Sequence, residues 1–124
     1  MLEHIIANAN MVVSQFRELT EFEFDYNLES VEWVDGFINR QREREDYSVE
    51  LGEKMTSTIG SYLGECVIKC HGGSWKETSE GWAIEFSDGN MVYPFSKTVK
   101  QFENGAEDSI YSFFTTIPVI FKSL

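Results

Sequence analysis

The chain has 124 residues, 42% of them hydrophobic and 15% aromatic, with 21 acidic against 10 basic residues and a formal net charge of −11. That length suits one domain and is short for two, and the apolar content argues against a disordered chain. The surplus of carboxylates repels nucleic acid and anionic lipid, and it attracts cations and basic proteins. No stretch reaches the roughly 20 consecutive apolar residues that cross a bilayer. In "MLEHIIANANMVV", Glu3 and His4 stand where a secretion signal carries basic residues, and Asn8 and Asn10 interrupt the apolar run, so the expected location is cytoplasmic.

Over residues 2–19, Ile5, Ile6, Ala9, Val12, Val13 and Phe16 recur at three- and four-residue spacing, which predicts an amphipathic helix. The stretch "TEFEFDYN", residues 20–27, alternates acid and aromatic. As a short strand or extended connector it would turn Phe22, Phe24 and Tyr26 inward and Glu21, Glu23 and Asp25 into solvent. Asn27 can cap a second helix from residue 28 to about residue 44, with Leu28, Val31, Val34 or Trp33, Phe37 and Ile38 on its apolar face. Its end, "RQREREDY", reads as a solvated last turn. Ser48 can cap a third helix to about residue 70, lined by Met55, Ile59, Tyr62, Leu63, Cys66 and Val67, with Gly72 and Gly73 supplying the left-handed backbone at its end.

The strand region follows. Trp82, Ile84 and Phe86 alternate with Ala83 and Glu85, which predicts one buried face, and turn signals fall at 78–81 and at 87–90 around Asp88-Gly89. A three-stranded antiparallel meander results, stopped by Pro94. A short helix over 96–103 is closed by Asn104-Gly105. A last helix starts at Glu107 or Asp108 and runs through Phe113, Phe114 and Ile117 to Pro118, which should kink or end it. The tail "VIFKSL" is apolar enough to dock. The fold class is α+β: one domain, residues 1–124, of about five helices packed on one face of a small meander sheet.

The charge is uneven. Residues 1–50 hold 12 acids and 4 bases, the remainder 9 and 6, and from Glu18 to Asp35 there are seven acids and no base. A solvated face explains such a run. A surface for a basic partner explains it as well, and the residues of that surface would be Glu21, Glu23, Asp25, Glu29, Glu32 and Asp35.

A second candidate lies in "IGSYLGEC". Gly60 and Gly64 sit one turn apart in a helix, where each costs up to about 1 kcal/mol relative to Ala. They mark either a close contact with a neighbouring element or a backbone groove open to a ligand. In the second case Glu65 and Trp75 would complete a pocket, with Glu65 as a buried carboxyl of raised pKa. Cys66, Cys70 and His71 have soft-ligand spacing but lack a fourth ligand, and a disulfide within one helical turn has poor geometry, so both cysteines are expected as reduced structural thiols. There is no nucleophile elbow, phosphate loop, H-E-x-x-H or calcium loop, so no catalytic residue, metal or cofactor is assigned.

Gly72, Gly73 and Trp75 in "GGSW", Pro94, Phe95 and Lys97 in "PFSK", and Asn104, Gly105, Asp108 and Ser109 in "NGAEDS" form a pattern over residues 63–114, about half the chain. The pattern resembles that of a group of small uncharacterised bacterial proteins. Here Thr98 separates Lys97 from Val99 where that group has Lys followed by Val. Most of these residues also have a structural reading, as caps, turns and core. The resemblance implies a small α+β protein with no attached enzymatic activity, similar to the immunity proteins of bacterial toxin systems. The leading expectation is a non-enzymatic acidic protein that binds a basic protein, and not nucleic acid or membrane. The alternative is a ligand-binding or enzymatic domain with its pocket at Gly60, Gly64, Glu65 and Trp75.

Overall fold

A computed structural model describes residues 1–120. Its elements are α1 (Leu2–Arg17), α2 (Leu28–Arg42), α3 (Val49–His71), β1 (Ser74–Thr78), β2 (Gly81–Glu85), β3 (Met91–Val92), α4 (Pro94–Asn104), a 3-10 turn (Gly105–Asp108) and α5 (Ile110–Ile120). This is the expected α+β fold. No helix among the described residues is long and apolar enough to cross a membrane. Of the tail expected to dock, residues 121–124 lie outside the described residues, and Val119 and Ile120 are exposed.

Helix α3 is the axis of the molecule. From Ile59 to Val67 every residue is buried, so this helix is enclosed on all sides rather than along one stripe. It packs on α1 and on α4, while α2 packs on α5. Small residues make that enclosure possible. Gly60, Ser61 and Gly64 leave room for neighbours, and the buried Ser61 hydroxyl donates to the Ser57 carbonyl at 2.6 Å. The two predicted caps are present: the Asn27 side chain accepts from the Ser30 amide, and the Ser48 hydroxyl accepts from the Leu51 amide.

The strands run in the order β1-β2-β3, antiparallel, with Trp75 opposite Ile84 and Ile84 opposite Val92. The Asp88-Gly89 turn forms as expected, with Gly89 at φ +86° and the Phe86 amide donating to Asn90 O at 2.9 Å. Burial on β2 is not confined to one face. Ala83 is as fully buried as Ile84, on the face where Lys76 pairs with Glu85 at 3.3 Å.

Two element boundaries and one side-chain placement differ from expectation. Helix α4 begins at Pro94, two residues early, because proline's fixed φ and missing N–H suit the first helical position. Leu28, expected on the apolar face of α2, is 45% exposed at its first position. Helix α5 continues past Pro118 to Ile120. Proline leaves the carbonyl four residues back, that of Phe114, without its helical donor, and the His71 ring packs against the Phe114 ring with centres 4.6 Å apart.

Candidate protein-interaction face

The connector between α1 and α2 is a bent segment, not a strand, and it adds nothing to the sheet. Its aromatic side packs inward as expected. Phe24 is fully buried, and Phe22 and Tyr26 lie half-buried against the core. The Phe24 ring meets Phe16 edge-on at 5.5 Å, Trp33 at 6.0 Å and Tyr62 at 5.3 Å, so α1, α2 and α3 all hold it. With no neighbouring strand, side chains satisfy the connector's backbone. Arg17 Nε donates to Phe24 O at 2.8 Å, Tyr62 Oη donates to Asp25 O at 2.7 Å, and the Asp25 amide donates to Ser30 Oγ at 2.9 Å.

A connector pinned from beneath presents its other side outward. Glu21 and Glu23 are exposed there, with Glu18 beyond the end of α1 and Glu29 and Glu32 on the outer face of α2. None of these five carboxylates forms an ion pair among the described residues. Leu19 and Leu28, at the two ends of the connector, are 64% and 45% exposed. Over residues 18–32 the exposed side chains thus include five carboxylates with no ion pair among the described residues and two leucines.

Two predicted members are occupied elsewhere. The Asp25 carboxylate accepts from the Tyr26 amide at 2.9 Å and lies 3.5 Å from Arg17. Asp35 faces away from the connector: its Oδ2 accepts from the Tyr111 amide at 3.0 Å and from the Ser109 hydroxyl, at the start of α5. A carboxylate there answers the free amides and positive end of the helix dipole. The buried Gln101 completes that junction, donating to Asp35 O at 3.1 Å and accepting from the Ile110 amide at 2.7 Å.

Gly60, Gly64, Glu65 and Trp75 do come together, but as packing. A Cβ on Gly64 would lie 2.1 Å from Trp75 Cη2, and one on Gly60 would lie 2.5 Å from Phe95 Cδ1. The two rings fill the space that a ligand would have used. Glu65 is buried and accepts from Trp75 Nε1 at 2.9 Å, with Lys69 Nζ at 3.9 Å from its other oxygen. Lys69 also sits 4.9 Å from the Tyr26 ring centre. Burial, reinforced by the Glu65 carboxylate, pushes the Tyr26 hydroxyl up to about 12, and that hydroxyl donates to Asn10 Oδ1 at 2.7 Å.

Cys66 and Cys70 are free thiols that diverge. Cys66 is buried, and burial raises its pKa. Cys70 is exposed, with Sγ 3.5 Å from Tyr26 O, while the His71 ring lies 4.6 Å from the Phe114 ring. Among the described residues no three potential metal ligands converge.

Sequence reasoning assigned the negative charge of this corner but overlooked its apolar component. Leu28 was placed on the core face, and Leu19 inside a helix that stops at Arg17. The available signal was Leu28's place immediately after the Asn27 cap, in the first turn, where a helix is least enclosed. Comparison of the chain with protein-family models, with curated proteins and with solved structures finds no match in any of the three.

Proposed function

We propose that this protein is a non-enzymatic binder of a basic protein, docking through the corner formed by the end of α1, the connector and the outer face of α2. An inhibitor of the immunity type is the specific form of this reading. The observation that carries it is the run of five exposed carboxylates with no ion pair among the described residues, Glu18, Glu21, Glu23, Glu29 and Glu32, close in sequence to the exposed Leu19 and Leu28. Charges of one sign steer an oppositely charged protein into encounter, and apolar side chains among them supply area that holds once water leaves. A phosphate-rich or anionic-lipid partner is disfavoured by the same field.

The test begins with capture of partners on the tagged full-length chain. Association rates of the captured partner are then compared for the native chain and for Glu21→Gln, Glu23→Gln, Glu29→Gln and Glu32→Gln combined. These side chains form no hydrogen bond or ion pair among the described residues, so the fold should be retained. The variant should associate about tenfold more slowly at low salt, and the two rates should converge as ionic strength rises. Equal rates at low salt would reduce the corner to a solvated face.

A further inference from the structure

The end of α2, the first turns of α3 and the second half of α4 enclose a cleft of about 390 Å³ that shares no residue with the acidic corner. The volume falls in the range of small-molecule sites, which are mostly apolar with a few placed polar groups. One wall is aromatic: the Tyr47 and Phe102 rings stack with planes 4° apart and centres at 6.5 Å, and since Phe102 is only 5% exposed the half-buried Tyr47 supplies most of the open ring surface. Gly52 makes this possible, because a Cβ there would lie 2.5 Å from the Tyr47 hydroxyl. Val49 and Val99, also in the lining, are 73% and 38% exposed, so the apolar surface of the cleft continues outward without cover.

The charged groups of the lining are Arg42, Glu53 and Glu103. Arg42 is committed to the fold, with Nε donating to Phe102 O at 2.9 Å and Nη2 to Glu103 O at 3.3 Å, where it answers the negative end of α4. The Thr56 hydroxyl is likewise spent, on Gly52 O at 2.9 Å. Glu53 and Glu103 have no ion pair among the described residues. Two carboxylates against one guanidinium leave the lining one negative charge in excess.

From this charge and shape we infer that the cleft binds a small organic monocation. Its apolar body lies on the Tyr47–Phe102 wall and its ammonium group is directed to Glu53 and Glu103. An anion of the same size meets both carboxylates. A neutral ligand covers them without replacing their water, and so gains less. The ammonium restores hydrogen bonds to the carboxylates, and the Tyr47 face adds a cation–π contribution.

The experiment uses the full ¹⁵N-labelled chain at low salt and neutral pH, titrated separately with n-hexylamine, n-hexanol and hexanoate, with amide shifts read by NMR. Hexylammonium should shift the amides of Tyr47, Gly52, Val99 and Phe102 saturably. It should bind about five- to tenfold more tightly than hexanol, the increment of one or two partly exposed ion pairs, and hexanoate should bind most weakly. In Glu53→Gln combined with Glu103→Gln the amine should lose its advantage, while hexanol still shifts the same amides and so reports an intact cleft. Three results would each overturn the inference: equal affinity for amine and alcohol, shifts centred outside these residues, or an advantage that survives the double substitution.

Discussion

Replacing Gly64 with Ala sets helix propensity against packing, and the two predict opposite signs. In an isolated helix the change stabilises by up to about 1 kcal/mol. Here the new Cβ would stand 2.1 Å from Trp75 Cη2 and 2.2 Å from Cζ2, well inside van der Waals contact. Either α3 and β1 separate or the indole swings out. Overpacking of this kind costs about 1–3 kcal/mol. A displaced indole also breaks the 2.9 Å hydrogen bond to the buried Glu65 carboxylate, and a hydrogen bond to a charged group contributes about 1.5–3 kcal/mol. After the propensity gain is subtracted, a net loss of about 1.5–5 kcal/mol remains, or on the order of 10 °C in Tm for a chain of this length.

Urea denaturation followed by circular dichroism, with indole fluorescence as a second probe, measures the change. Gly60→Ala meets only the Phe95 ring, at 2.5 Å, and breaks no polar contact there, so its loss should be smaller. The decisive comparison is Gly64→Ala in a Trp75→Ala background. With the indole gone the same substitution should become neutral or stabilising by up to about 1 kcal/mol. An unchanged or raised midpoint for the single variant would refute the reasoning, as would an equal loss in both backgrounds.

Two further outcomes follow from the thiols and from His71. With thiol reagent in excess, the exposed Cys70 should be labelled in the folded protein and Cys66 only on unfolding, because Cys66 is buried and its thiolate disfavoured; Cys66 labelling at the rate of Cys70 would contradict that packing. Burial against α5 lowers the His71 pKa from its ordinary 6.5. The unfolded chain therefore takes up a proton before the folded one, and stability present above pH 6.5 is lost as pH falls below it. The urea midpoint should drop between pH 7.5 and 5.5, and His71→Gln should reduce that drop; a midpoint that rises on acidification would reverse the sign.

Much of the fold was legible because local signals and tertiary demands coincide. Asn27 and Ser48 cap helices, Asp88-Gly89 turns a hairpin, and the spacing of Ile59, Leu63 and Val67 places α3 in the core. Legibility failed where a distant group decides the outcome. Pro118 reads as a kink or a stop, yet α5 runs on to Ile120, with the Phe114 ring four residues before the proline packed against His71. Asp35 reads as one more surface acid until α5 brings its amides to it. Gly64 fits a pocket as well as a contact until Trp75 is placed on it. In each case the sequence carries the residue type and the tertiary structure supplies the partner.

That distinction also sorts the carboxylates of the acidic run. Where an acid in this region serves the fold it has a donor within reach: Asp25 has Arg17 and the Tyr26 amide, and Asp35 has Ser109 and Tyr111. Glu18, Glu21, Glu23, Glu29 and Glu32 have none among the described residues, although the chain carries ten bases that could have been set beside them. Exposed like charges repel by only a few tenths of a kcal/mol each at physiological salt, where the screening length is about 8 Å. A fold tolerates that, so stability alone neither demands nor forbids the cluster. Solubility needs only the charge, whereas a docking face would use both the charge and the exposed Leu19 and Leu28. On the proposed reading the glutamates act mainly on the rate of encounter and the leucines on the lifetime of the complex, a division of labour common to charged interfaces.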